Sequence, residues 1–282
     1  MKVFVYGATG TVGQNLVNEL LESGHEVFAG TRDPSKQQKR AHLTWIEADP
    51  LRPTFGLEVV EKVESIFLLS PPGLTNQFEI LSPWIEKAKV SRIQKVVLMT
   101  AMGVEFAPEE APLRKTEILL EKSGLDWNII RPNWFNQNFN TFWISGILND
   151  QKIYFPGGKA KASFIDARDI SSVAKVLLTT KDKSNQAFNL TGKEAIDHDE
   201  VAKYISSATG KKIEYVDISP EDFYKALVGV GLPEDYSKFL VMIAGALKEG
   251  FASPVLDSVK SITGKDPILF KTYAEDYKKY WL

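Results

Sequence analysis

Val3-Phe4-Val5-Tyr6-Gly7-Ala8-Thr9-Gly10-Thr11-Val12-Gly13 is a short apolar run that meets three glycines and continues into a helix-length segment. From Thr11 to Glu22 that segment sets Val12, Leu16, Leu20 and Leu21 close to one helical stripe. A β-run, a glycine turn and an amphipathic helix in that order are the context a dinucleotide-binding loop requires. In such a loop Gly7 permits the tight turn, Gly10 lets the backbone approach a pyrophosphate, and Gly13 allows close helix-to-strand packing. Ala8, Thr9, Thr11 and Val12 complete the loop, and the helix N-terminus offers unpaired N–H donors and the positive end of a dipole. The glycine spacing is three and three, where the usual fingerprint has two and three. A glycine turn that merely joins strand to helix is the competing reading, and the position directly after the first strand speaks against it.

Working outward, the first half alternates β-type runs (Val3 to Tyr6, Val27 to Ala29, Thr44 to Glu47, Ser65 to Leu69, Val96 to Met99, Trp127 to Ile130) with amphipathic segments (Phe78 to Ala88, Leu113 to Lys122). That rhythm predicts an α/β fold, a Rossmann-type doubly wound parallel sheet, and six βα units fit the count. Beyond Pro132 come an aromatic-rich segment and a Gly157-Gly158 turn, then a helix over Ala167 to Leu178 and a strand over Asn185 to Leu190. From Asp197 onward the pattern is mostly helical, with a cap at Asp197 or Asp199, a strand over Ile213 to Val216 and a helix started by Ser219-Pro220-Glu221. The expected division is a Rossmann domain over 1–132, continued by 160–192, and a smaller, mostly helical substrate lobe over 133–159 and 193–282.

The 282 residues suit about two domains at roughly 150 residues each. Apolar residues at 44% and charged residues at 25% make an ordinary globular composition. Lys and Arg number 34 against 36 acids, so no basic field is available for a phosphate backbone, and nucleic acid is not an expected ligand. The absence of cysteine excludes disulfides, a thiolate nucleophile and cysteine-ligated metal. The longest charge-free stretch, Pro132 to Asn149, holds five Asn and a Gln and is not a membrane span. The leading apolar run is too short for a signal peptide, so a cytoplasmic setting is expected. His25, His42 and His198 show no metal-ligand spacing and read as surface or cap residues.

On these residues the chain resembles the NmrA-like atypical short-chain dehydrogenase/reductases, including the quinone-oxidoreductase-like and triphenylmethane-reductase-like members. The carriers are the glycine loop, Thr31-Arg32-Asp33-Pro34, Ala48-Asp49, Ser123-Gly124-Leu125-Asp126-Trp127 and Arg131-Pro132-Asn133-Trp134-Phe135 with Asn138. The resemblance spans essentially the full length and implies an NADP-binding oxidoreductase. It places Asp49 at the adenine edge, and Ser70-Pro71-Pro72 with Thr100-Ala101 along the nicotinamide half. For each, a turn residue is the plainer alternative.

NADP is favoured over NAD, which stays possible. Arg32 is placed to meet a 2′-phosphate, while Asp33, about twenty residues past Gly13 where an acidic ribose reader is expected, precedes Pro34 and reads as a helix cap. Catalysis is less legible. None of the nine tyrosines has a lysine four residues on, so the superfamily's usual proton-transfer pair is missing. Lys115 is a weak substitute that reads more naturally as a surface residue, and Glu117, which the resemblance marks as recurring in relatives, reads as a structural residue. Trp134, Phe135, Phe139, Phe142 and Trp143 put five aromatics in ten residues, a surface on which a flat acceptor could stack, unless they only form core. Asn133 and Asn138 are the polar substrate candidates. The expected function is NAD(P)H-dependent hydride transfer to a quinone-like or conjugated small molecule. The second reading is a non-catalytic NADP-binding sensor with a protein partner, and the third an epimerase-like protein acting on sugar nucleotides. The oligomeric state is open.

Overall fold

The computed structural model describes residues 1–282 and divides them into two compact units. The first comprises Met1–Pro132, Ala167–Asn189 and Ser261–Gly264, the second Asn133–Asp166, Leu190–Lys260 and Lys265–Leu282. In chain order the elements are β1 (Lys2–Val5), α1 (Thr11–Glu22), β2 (Glu26–Thr31), β3 (Leu43–Glu47), β4 (Ser65–Leu69), α2 (Gln77–Lys89), β5 (Lys95–Met99), α3 (Pro112–Glu121), β6 (Trp127–Pro132), α4 (Ile144–Asp150), β7 (Lys152–Phe155), α5 (Ala167–Thr179), β8 (Gln186–Leu190), α6 (His198–Thr209), β9 (Glu214–Asp217), α7 (Pro220–Gly229), α8 (Glu234–Lys248), α9 (Ser258–Thr263) and α10 (Phe270–Tyr277).

The sheet order is β3-β2-β1-β4-β5-β6-β8, and the register is parallel from β3 through β6. The order reverses between β1 and β4, which makes their carboxyl ends the topological switch point where α/β sheets take ligands. Strand β4 is buried along its whole length, as a sheet covered on both faces requires. Phe4, Ile66, Leu68, Val96 and Leu98 share one core with Ile80, Trp84 and Leu120 from α2 and α3, and Phe4 stacks on Trp84 at 4.9 Å. The alternate residues face the other way, where Ser65 donates to Leu178 O of α5 (3.2 Å) and Ser171 of α5 donates to Val12 O of α1 (2.9 Å).

Six βα units are not realised. Only short 3₁₀ turns, Pro34–Lys36 and Leu57–Lys62, join β2 to β3 and β3 to β4. Pro50, Pro53 and a left-handed Gly56 interrupt the second connection, and the first lacks an apolar stripe after Pro34.

The second unit is helical around a two-stranded parallel sheet, β7 with β9. The expectation found β9 but read β7 only as aromatic-rich chain. Its core is aromatic: Phe139, Phe155, Phe164, Phe270, Tyr273 and Trp281 are buried together. Segment 160–166 belongs here, not to the sheet unit, because Ala162 and Ile196 exchange backbone hydrogen bonds (2.9 and 3.0 Å) and Ser163 N donates to Ala252 O (2.9 Å). Leu190 to Gly192 follow them, through Asn133 N to Leu190 O (2.9 Å) and Gly192 N to Ser163 O (3.1 Å).

Candidate dinucleotide site

The loop after β1 is stitched to its neighbours by Tyr6 N to Phe67 O (2.9 Å) and Ala8 N to Gly30 O (3.2 Å). Gly7 takes φ +70°, the left-handed region open to glycine. The extra residue in the glycine spacing is absorbed by a turn closed by Gly10 N to Gly7 O (3.0 Å). A Cβ on Gly13 would stand 2.2 Å from Gly7 O, so only glycine lets α1 come this close to the strand. Thr9, Gly10 and Thr11 are exposed at the tip, while Ala8, Val12 and Gly13 are buried beneath them. Helix α1 has no side-chain cap and no acid in its first turn. Its leading N–H groups and dipole are therefore left for an outside anion, and these residues fit a dinucleotide diphosphate.

Beyond β2, Asp33 is spent as a cap. It accepts from Ser35 N (3.0 Å) and from Ser35 Oγ, and pairs with Lys36 (3.1 Å). Ser35 and then Lys36 hold its carboxyl below the usual range. Arg32 beside it is exposed and bound to no side chain. Asp49, after β3, accepts from Leu51 N (3.0 Å) and Arg52 Nε (3.1 Å), and these contacts with the charge of Arg32 keep its carboxyl ionised below the ordinary range. Asp49 is thus a turn-closing residue, and its carboxylate oxygens retain only accepting capacity. Ser70 and Pro71 are half-buried after β4, and the Ser70 hydroxyl has only a long contact to Pro71 O (3.4 Å).

At the carboxyl end of β5, Thr100 joins a pairing of Glu117 with Arg131 and Arg114 that the sequence did not foretell. Thr100 Oγ1 donates to Glu117 Oε1 (2.7 Å). Glu117, fully enclosed on α3, also accepts from Arg131 Nε and Nη2 (2.8 Å each) and Arg114 Nη1 (2.8 Å). Arg114 is held in turn by Glu121 (2.8 and 3.1 Å), and Glu105 stands 3.8 Å from Arg131. Burial pushes the Glu117 carboxyl up, but Arg131, Thr100 and Arg114 outweigh it and hold it below the usual range. Four donors fill the lone-pair sites of one carboxylate, so Glu117 stays ionised and has no proton to give. Ala101 is half-buried next to Thr100.

Lys115 lies two residues before Glu117, hence on the opposite side of α3. It is exposed, pairs with Glu110 (3.3 Å) and sits 4.8 Å over the Phe78 ring. The helix turns it to solvent, away from the Thr100 cluster.

In the second unit the substrate candidates part company. Asn133 is buried with its amide committed to Ser163 Oγ (2.8 Å), Ala252 O (2.7 Å) and Trp134 N (2.9 Å). Phe139 is fully enclosed against Trp143, Phe164 and Phe270, so it is core and not contact surface. Trp134, half-buried, stacks on Trp143 (6.1 Å), Phe135 bridges to Ile165, and Asn138 is half-buried with a free side chain. Two buried polar residues escaped the reading. Neither side-chain amide atom of Asn136 has a partner, and His198, expected as a surface or cap residue, is enclosed with both nitrogens unpartnered. Nothing in their sequence neighbourhoods marks either, because burial there arises from aromatics distant in the chain.

A family model described as NAD(P)H-binding matches residues 7–180. An NAD(P)H azoreductase of Xenophilus azovorans is 29% identical over 281 residues, covering 97% of this chain and 96% of that protein. The NADPH complex of an NADPH-dependent quinone oxidoreductase from Escherichia coli superposes with a TM-score of 0.85 at 20% identity, over 98% of this chain and 99% of that one. The negative transcriptional regulator NmrA in complex with NADP gives 0.81 at 17%, over 99% and 95%. The two structural likenesses agree in fold with the resemblance drawn from the sequence, and no helix of the chain is long and apolar enough to cross a membrane. The glycine cradle and a family match over more than half of the chain lead to one assignment: this chain belongs to the NAD(P)H-binding family.

Proposed function

We propose that the chain is an NADPH-dependent reductase acting in the cytoplasm on a quinone-like or otherwise conjugated small molecule. The carrying observation is the cradle in which Gly7 and Gly13 bring an uncapped helix start to the surface. When bound, the reduced dinucleotide supplies a hydride to an electron-poor acceptor, which is reduced by two electrons and takes its proton from water. Thr9 to Gly13 would hold the diphosphate, and Arg32 the 2′-phosphate by a charge-assisted contact. Asp33 cannot serve a ribose diol without breaking its cap, which favours NADPH over NADH. In the second unit, half-buried Trp134 and exposed Phe142 are flat apolar groups suited to a conjugated acceptor. The azoreductase and quinone oxidoreductase among the similar proteins lend this acceptor class support.

Consumption of NADPH against a panel of quinones and azo dyes tests the reading, with Gly10→Glu, which sets a carboxylate at the exposed loop tip, as the inactive control. Arg32→Ala is expected to weaken NADPH binding about ten- to thirtyfold and leave NADH unchanged, as loss of one ionic hydrogen bond implies. Equal loss for both nucleotides removes the 2′-phosphate assignment. A sensor is the second reading, favoured by the committed state of Thr100 and Glu117 and the outward Lys115. Tight NADPH binding with no turnover across the panel would select it.

A further inference from the structure

We infer that the strap over 250–256, which follows α8, is an acceptor-contacting surface of the second unit: Phe251, Val255 and Leu256 meet a flat, uncharged acceptor, and the buried Asn133 positions them. The inference rests on the reductase reading above and adds the residues that meet the substrate. Irregular chain is held in one shape only where its backbone polar groups are paired. Helix α8 closes on a left-handed Gly250 (φ +91°), with Gly250 N donating to Leu247 O (2.9 Å) and Phe251 N to Ala246 O (3.1 Å). That Schellman closure sets the direction in which the strap leaves the helix. Further on, Ala252 O accepts from Ser163 N (2.9 Å) and Asn133 Nδ2 (2.7 Å), and Pro254 O accepts from Ser163 Oγ (2.7 Å). Leu256 N donates to Thr191 Oγ1 (2.9 Å). Asn133, Ser163 and Thr191 are all buried, and Ala252 anchors the strap in the aromatic core.

Phe251, Val255 and Leu256 nevertheless stay 65%, 48% and 38% exposed. Pinned along its length, the strap cannot swing to bury them, and it carries no charged residue. Large apolar groups held rigidly in water mark a binding surface. The anchors identify the occupant. Asn133 and Thr191 are the first residues past β6 and β8, and open α/β sheets take their ligands beyond the carboxyl ends of the strands. An uncharged apolar strap hung at that end is complementary to a neutral conjugated ring system, whose affinity comes mostly from apolar burial. Asn133 serves that ligand without touching it. Its Nδ2 holds Ala252 O and Ser163 Oγ (2.8 Å) while its Oδ1 accepts from Trp134 N (2.9 Å), so one buried amide ties the strap to the half-buried Trp134.

The test titrates the full-length protein, loaded with NADP⁺ so that no turnover occurs, with 1,4-naphthoquinone by calorimetry. Phe251→Ser and Leu256→Ser, both at exposed positions, are each expected to weaken quinone binding roughly three- to tenfold, with melting temperature and NADP⁺ affinity unchanged. Asn133→Ala, provided its melting curve shows a folded protein, weakens the quinone as well but adds little on top of Phe251→Ser with Leu256→Ser, a non-additivity that a merely structural loss would not give. If the triple variant Phe251→Ser, Val255→Ser, Leu256→Ser binds the quinone with the wild-type constant, the inference is overturned, and its wild-type turnover of quinone with NADPH would leave the reductase reading standing. A triple variant that binds the quinone unchanged but turns a dimer into a monomer in sedimentation assigns the strap to a second copy of the chain and likewise overturns the inference. Weakened quinone binding in the triple variant, with no turnover in the wild type, keeps the strap and removes the reductase reading. A wild-type chain that binds NADP⁺ but no quinone at millimolar concentration overturns the inference.

Discussion

Glu117 in the first unit and His198 in the second are both titratable and both fully enclosed, and the chain handles them in opposite ways. Glu117 keeps its charge and receives four donors at 2.7 to 2.8 Å. His198 loses its charge and receives none. Its ring is stacked between Phe155 (4.7 Å) and Tyr215 (5.1 Å), with Phe139, Trp143 and Phe164 edge-on around it. Burial pushes the imidazole down to about 4 against the opposing pull of Asp199 and Asp217. A buried charge is tolerated when pairing is complete, and a buried base when it can shed its proton. The first solution fixes Thr100, Arg114 and Arg131 around one carboxylate. The second makes the aromatic unit sensitive to acid.

The contrast is sharpest in what removal does. Arg131→Met leaves Glu117 enclosed with half of its donors gone, and is expected to cost about 3–5 kcal/mol in urea unfolding. A loss under 1 kcal/mol would mean that water reaches the carboxylate and that the knot is not the rigid array described. His198→Phe fills the cage without a titrating group and should cost little at neutral pH. Its effect emerges on acidification. The folded state holds the imidazole neutral down to about 4, whereas the unfolded chain protonates near 6.5, so between these values the unfolded state binds more protons. Wild-type stability therefore falls as pH drops from about 6.5 towards 4, by roughly 3 kcal/mol more than that of His198→Phe. Parallel stability profiles for the two proteins would show that His198 is not the acid-sensitive group.

The same contrast explains what could be read from the residues beforehand. The strands and helices of the sheet unit announce themselves through local period, and the capping of α6 by Asp197 with Glu200 follows from adjacent residues. The glycine loop is legible because each glycine answers a steric demand within a few positions. The Glu117 knot is not, since its members come from residues 100, 105, 114, 117, 121 and 131 and meet only when α3 packs beside β5 and β6. His198 reads from its neighbours as a surface or cap residue, whereas it follows the Asp197 cap and lies in a cage drawn from chain between 139 and 215. Strand β7 was missed for the same reason: four residues acquire their identity from β9, about sixty positions later. Asn133 and Phe139 carried polar and aromatic chemistry suited to a substrate, yet the fold spends both on its own interior.

The smallest effect is expected on the outer side of the same helix that carries Glu117. Lys115 and Glu117 are two residues apart, and their side chains lie about 200° apart around α3, which is why one meets solvent and the other a closed carboxylate site. The Lys115 ammonium has an exposed partner in Glu110 at 3.3 Å and a ring beneath it, contacts screened by water and worth little. Lys115→Met preserves the aliphatic packing on Phe78 and should shift unfolding by less than about 0.5 kcal/mol, with NADPH affinity unchanged. Should it instead lower turnover tenfold at unchanged stability, an outward lysine reaches the reacting groups, and the division of α3 into an inner structural face and an outer inert one fails.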